Sequence, residues 1–231
     1  MSGLPAPAPG LVLGFPLAFP PGLVLGLPLG LPLGLPLAFA LLGAAFLAGS
    51  IPFGVLLARR RGVDIRAHGS GNIGATNVSR VLGARAGAIV LVLDACKGAL
   101  PTAAALAVGA APRLVALTGL AAILGHCFSP FLRGRGGKGV ATALGVFAVI
   151  APALVGIAVL VFVAVLAVTR VPALGSLAGS LAITIGLVAR GGGPYAALAC
   201  ATTALLVYTH RTNLAKLYAR RARRERRDRE R

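Results

Sequence analysis

Acidic residues are scarce in this chain of 231 residues: only Asp64, Asp94, Glu225, Asp228 and Glu230 are present, against 23 Lys and Arg. Charged residues of both signs make up 12% of the chain, where soluble domains carry about 25%. With a mean hydropathy of +0.89, that scarcity excludes an ordinary soluble domain and implies a polytopic membrane protein. Cysteine is also sparse. Cys96, Cys127 and Cys200 sit in apolar surroundings without a CxxC spacing, which argues against a disulfide framework or a metal site. No metal or cofactor is expected. Lys and Arg are absent before position 59, so a secretory signal with a charged amino-terminal region is not supported.

What is present is organised in three parts. Residues 1–37 are low in complexity, with Gly-Leu-Pro-Leu recurring three times between Gly26 and Leu37. Proline at that frequency prevents a regular spanning helix. The tract reads as a disordered or interfacial extension, or as a segment ahead of the true translation start. Residues 38–213 form the membrane domain, and 214–231 form a basic tail. Apolar runs long enough to cross a bilayer fall at 38–57, 86–108, 114–131, 172–189 and 194–210. The run 139–169 contains Pro152 and is either one kinked helix or two short ones meeting near Ala151-Pro152. The asymmetry of the cations favours two. Seven spans, amino terminus outside and carboxyl terminus cytoplasmic, gather twenty of the 23 Lys and Arg on one side. The basic tail then lies against anionic lipid, and no nucleic-acid partner is expected.

Three polar segments interrupt the oily background, all on or near that cytoplasmic side. The first is Gly69-Ser70-Gly71-Asn72-Ile73-Gly74-Ala75-Thr76-Asn77-Val78-Ser79-Arg80. Its glycines allow successive amides to face an anion, Ser70, Asn72, Thr76 and Asn77 add neutral donors, and Arg80 grips phosphate oxygens in pairs. The second runs from Gly125 to Thr142, and its part Gly136-Gly137-Lys138-Gly139-Val140-Ala141-Thr142 offers Lys138 among glycines. It is not a nucleotide-binding P-loop, because Gly139 stands where Ser or Thr is required and no buried strand precedes it. The third is His210-Arg211-Thr212-Asn213, whose His and Asn share a helix face. Asp94 and Lys97, three apart within a span, read as a mutually compensating pair. Gly49-Ser50-Ile51-Pro52-Phe53-Gly54 marks a break near the cytoplasmic end of the first helix.

Together, in this order over about residues 38–218, these motifs resemble the bacterial membrane glycerol-3-phosphate acyltransferase that uses acyl-phosphate, the PlsY family. The resemblance implies a seven-helix, all-α integral membrane enzyme of the bacterial inner (plasma) membrane with its active site facing the cytoplasm. It would acylate the 1-hydroxyl of sn-glycerol 3-phosphate with a fatty acyl-phosphate, giving lysophosphatidic acid for phospholipid synthesis. The peripheral phosphate acyltransferase that makes acyl-phosphate is the implied partner. The family's catalytic positions fall on Ser70, Arg80, Lys138, His210 and Asn213. Gly69, Gly71, Asn72, Gly74, Thr76, Asn77, Gly136, Gly137, Gly139 and Ser176 are implied in binding substrate phosphate.

One feature of the sequence fits this chemistry independently. Peripheral glycerol-phosphate acyltransferases activate the acceptor with His-x-x-x-x-Asp, and here the residues five positions after the three histidines are Ile73, Phe131 and Ala215. An acyl-phosphate, being a mixed anhydride, demands less activation of the attacking hydroxyl. Two other functions compete. An organic-phosphate transporter would also need cations and broken helices, but it is expected to show internal repeats and a site near the bilayer midplane. A membrane scaffold with a basic tail leaves 69–80 and 136–142 without a purpose.

Overall fold

The computed structural model describes residues 34–229, and all the regular structure among them is helical. Residues 1–33 lie outside the described residues. Helix α1 (Gly34–Ser50) starts four residues ahead of the expected span. Pro36 falls in its first turn, where a missing N–H breaks no helical bond. At Ile51-Pro52 the helix stops, and α2 (Phe53–Arg59) carries the run onward. The short α3 (Ala75–Leu82) leads into α4 (Ala84–Ala107), and α5 (Pro112–Cys127) is followed by a 3-10 turn at Pro130–Leu132.

The run containing Pro152 forms two helices, α6 (Val140–Ile150) and α7 (Pro152–Thr169). Ala151, with φ −147° and ψ 63°, is the corner between them. At 1.5 Å per residue, the 11 residues of α6 reach about 16 Å, roughly half the hydrocarbon thickness. Helix α8 (Pro172–Ala189) and the long α9 (Gly193–Arg229) complete the chain. Among the described residues, five segments have the length and composition to cross a membrane: Gly34–Arg59, Ala84–Ala107, Pro112–Leu132, Pro152–Thr169 and Pro172–Ala189.

Small residues let the helices approach closely, as membrane bundles require when no hydrophobic gain drives association. Any side chain at Gly49 would meet the Ala122 carbonyl, and one at Gly125 would meet the Phe46 carbonyl, so α1 and α5 touch backbone to backbone. Gly98 and Gly145 do the same for α4 and α6. Hydroxyls add cross-links: Ser129 donates to the Ser50 carbonyl at 2.7 Å, and Thr203 of α9 bonds Ser180 and Thr184 of α8 at 2.6 and 2.9 Å. The lipid-facing side of α7 is nearly all apolar, with Leu160 71% exposed, which suits acyl chains rather than water.

Candidate active site

The α6–α7 corner returns the chain to the end of the bundle from which α6 departs. Four stretches distant in sequence therefore meet there and wall a cleft of about 910 Å³. The loop before α3 and α3 itself contribute Gly69, Ser70, Asn72, Gly74, Thr76 and Arg80. Lys138 and Gly139 enter from the start of α6, Ser176 from α8, and His210 and Asn213 from α9. Deeper in the cleft the walls are apolar, with Phe147, Phe162 and Ile183 supplied by α6, α7 and α8. Gly71, Gly136 and Gly137, expected at the anion, are not on the cleft wall.

The loop 69–74 is shaped by its own side chains. Gly69 and Gly71 hold φ of +62° and +73°, a region that favours glycine. Asn77 lines the cleft but is 98% buried, and its donors do not serve an anion as expected. Its Oδ1 accepts the Ser70 N–H at 2.8 Å, while Nδ2 donates to the carbonyls of Asn72, His68 and Ile65 at 2.9, 3.0 and 3.3 Å. Asn72 Oδ1 likewise accepts the Gly74 N–H at 3.1 Å. These bonds fold the loop so that Ser70 and Arg80 stand exposed at the cleft, where neither side chain has a protein partner among the described residues.

The second glycine segment is built differently. The Gly136 and Gly137 amides bond the carbonyls of Cys127 and His126 at 3.1 and 3.0 Å. A Cβ on Gly136 would strike the His126 carbonyl, and one on Gly137 would strike the His126 ring. These two glycines therefore seat the loop on the end of α5. Gly139, at φ +87°, turns the chain into α6. Lys138 is left half-buried at the cleft, its carbonyl held by the Thr209 hydroxyl at 3.1 Å. Burial first, then the neighbouring Lys216 ammonium, lowers the Lys138 pKa to about 8.

On α9, His210, Asn213 and Lys216 recur every third position and all line the cleft. His210 is 2% exposed, and its Nδ1 lies 2.8 Å from the Leu206 carbonyl. A carbonyl only accepts, so Nδ1 carries the hydrogen and Nε2 of the neutral ring keeps a lone pair. Ser176 Oγ donates to the Pro172 carbonyl at 3.0 Å, which leaves its oxygen free to accept.

Several cleft residues were not singled out as site candidates from the sequence. Arg170 and Lys216 line it, yet in the sequence they look like ordinary cytoplasmic cations. Asp94 and His126 also line it, and Asp94 binds Lys97 at 2.7 Å as expected of a compensating pair. Lys97 also donates to the Ile51 carbonyl at the helix break, at 2.8 Å. The His126 Nδ1 stands 3.8 Å from Asp94 Oδ1, a proximity that only the fold creates.

A family model described as glycerol-3-phosphate acyltransferase matches residues 39–220. The chain belongs to the glycerol-3-phosphate acyltransferase family. A curated member from Myxococcus xanthus (strain DK1622) is 53% identical over 188 residues, 80% of this chain and 98% of that protein. Another, from Geobacter sulfurreducens, is 44% identical over 178 residues, covering 77% and 92% of the two chains. Among solved structures, the chain resembles crystal structures of PlsY, an integral membrane glycerol 3-phosphate acyltransferase. Its glycerol 3-phosphate form aligns with a TM-score of 0.77 at 38% identity, over 80% of this chain and 93% of that one. The lysophosphatidic acid form aligns at 0.75 and 37% identity, with the same coverage. This family member is thus an all-helical integral membrane protein.

Proposed function

We propose that the cleft transfers a fatty acyl group from acyl-phosphate to the 1-hydroxyl of sn-glycerol 3-phosphate, releasing lysophosphatidic acid and inorganic phosphate. Membership of the family supports glycerol-3-phosphate acylation. The carrying observation is the cation set itself: Arg80, Lys138, Arg170 and Lys216 share one cleft whose lining, among the described residues, includes a single carboxylate, that of Asp94, already paired with Lys97. Such an excess suits two phosphate-bearing substrates, and their mutual repulsion is the main obstacle to bringing them together.

The reaction needs little proton chemistry from the protein. The acceptor oxygen attacks the acyl carbon, the bond from that carbon to the phosphate oxygen breaks, and the electron pair leaves with the phosphate. The hydroxyl proton passes to a phosphate oxygen. Neutral His210, with its Nε2 lone pair, accepts a hydrogen bond from the attacking hydroxyl and orients it. Asn213, on the same face of α9, holds the acceptor beside it. Arg80, Lys138 and Ser70 stabilise charge on the departing phosphate, with the Thr76 hydroxyl completing the cradle, while the Ser176 oxygen is free to accept a hydrogen bond from a glycerol hydroxyl. Asn72, Asn77 and the glycines Gly69, Gly71, Gly74, Gly136, Gly137 and Gly139 act by shaping the two loops. The acyl chain lies along Phe147, Phe162 and Ile183 between helices open to lipid.

In the seven-span topology favoured by the asymmetry of the cations, the amino terminus lies outside and this cleft opens on the cytoplasmic face of the bacterial inner membrane. There it can receive acyl-phosphate from a peripheral phosphate acyltransferase. The test is to give purified protein radiolabelled glycerol 3-phosphate and palmitoyl-phosphate. Labelled lysophosphatidic acid is the expected product. Folded protein that yields none, yet carries the label into vesicles, would replace the enzyme with a transporter.

A further inference from the structure

A second recess, about 850 Å³ in volume, opens elsewhere at the helix ends, and none of its lining residues lines the catalytic cleft. Its cations are Arg59 at the end of α2, Arg66 in the following loop, and Arg133 and Arg135 beyond the 3-10 turn. Its apolar walls come from the broken first helix, with Ile51, Pro52, Val55 and Leu56, and from Phe131 and Leu132. Asp64 is the acid in this part of the chain, and it is already engaged with Arg66 at 3.7 Å. Among the described residues, Arg59, Arg133 and Arg135 have no carboxylate partner.

The sidedness of cations in membrane proteins explains why arginines lie on this face. It does not explain why four of them, from two loops about seventy residues apart, converge on one concave recess with an apolar wall. Phe131 is 61% and Leu56 45% exposed, so the recess joins uncovered apolar surface to uncompensated guanidinium charge. Arg133 even adopts φ +52°, a conformation that favours glycine, at the turn that brings it to the site. A ligand matching both halves carries a phosphate for the guanidiniums and a hydrocarbon chain for Leu56 and Phe131. At the boundary between a basic loop layer and lipid, that ligand is an anionic phospholipid.

We infer that this recess is a binding site for one anionic phospholipid, separate from the acyl-transfer cleft. The phosphate rests among Arg59, Arg133 and Arg135, and an acyl chain follows the helix break into the bilayer. The loop 133–139 lies between the two sites, with Arg133 and Arg135 facing the lipid and Lys138 facing the substrate cleft.

Native mass spectrometry of the full-length protein in neutral detergent tests this without any substrate, so its outcome is independent of the acyl-transfer assay. Wild-type protein and Arg59→Gln/Arg133→Gln/Arg135→Gln are titrated with phosphatidylglycerol and, separately, phosphatidylcholine of the same chains. The triple variant should retain about 10-fold less phosphatidylglycerol than wild type, with phosphatidylcholine retention unchanged. Comparing the two proteins cancels any binding by the basic tail or the catalytic cleft. Should the triple variant fail to fold, the single Arg133→Gln, in an exposed turn, must still lose severalfold. Equal retention by folded wild-type and variant proteins would overturn the site. Displacement of phosphatidylglycerol by equimolar inorganic phosphate would reassign it to a free anion, and tighter binding of a poly-glutamate peptide to an acidic protein. Either result contradicts the inference.

Discussion

The segments 69–80 and 136–142 look alike in sequence, both glycine-rich and both holding a cation, yet they are constructed in opposite ways. In the first, left-handed glycines and the Asn77 amide fold the loop on itself, and Ser70 and Arg80 are turned outward to the cleft. In the second, Gly136 and Gly137 are pressed onto the end of α5, and Lys138 alone presents a charged side chain to the cleft. Glycine clusters thus serve two needs, conformational freedom in one loop and close approach in the other. The sequence motif does not distinguish them, but substitution does.

The largest expected effects are at the charges the two loops present. Arg80→Ala and Lys138→Ala should each lower kcat/KM by roughly 10²-fold or more if each stabilises the reacting phosphate. Folded variants with wild-type rates would remove the residue from the site. Next come the glycines, where the contrast is sharpest. Gly137→Ala would drive a methyl group into the His126 ring and should cost on the order of 1–3 kcal/mol, read as a lower Tm in detergent. At Gly74, with φ −77° and a new Cβ 3.7 Å from Asn72 Oδ1, Ala should be nearly neutral in Tm. Equal tolerance at both positions would erase the distinction between packing glycine and open glycine. Asn77→Ala should also destabilise, by about 1–3 kcal/mol, because it strips partners from backbone groups of the loop, the buried Ile65 carbonyl among them. Ser70→Ala should lose activity while keeping the wild-type Tm.

A smaller effect follows from Lys138. Its ammonium is retained below about pH 8 and lost as pH rises through that value, because burial and Lys216 favour the neutral amine. The other charged or titratable groups around the cleft are Arg80, Arg170, Asp94, His126 and His210. The pH profile of kcat/KM should fall on the alkaline side near 8, approaching about tenfold per pH unit. Lys138→Arg should flatten that limb. Lys216→Gln, by removing the like charge, should move it upward. A wild-type profile flat well above pH 8 would deny Lys138 its role as a titrating cation. The smallest effect is expected outside both loops: truncation after Tyr218, close to where the family match ends at residue 220, should leave turnover nearly intact.

The helical plan was largely legible because its signals are local. Pro152 after an apolar run announces a corner, and the structure puts that corner at Ala151. Pro36 misled for a local reason too, since its frequency suggested a break where its position in a first turn permits a helix. The site was legible as a set of motifs, but not the division of labour within them. Nothing local shows that Asn77 is saturated by loop carbonyls, or that Gly137 is small because a histidine ring lies against it. Arg170 and Lys216 were hidden among cations that sidedness alone accounts for. Asp94 and His126 sit on different helices, and only the packing of α4 against α5 brings them within 3.8 Å.

If the cleft works by positioning an acyl-phosphate and neutralising its leaving phosphate, no protein base is required and the donor must bring its own good leaving group. A donor comparison in one assay tests it most directly, offering purified protein glycerol 3-phosphate with either palmitoyl-phosphate or palmitoyl-CoA. Lysophosphatidic acid should form from palmitoyl-phosphate alone, with one inorganic phosphate released per molecule formed. Turnover from the CoA thioester at a comparable rate would contradict it.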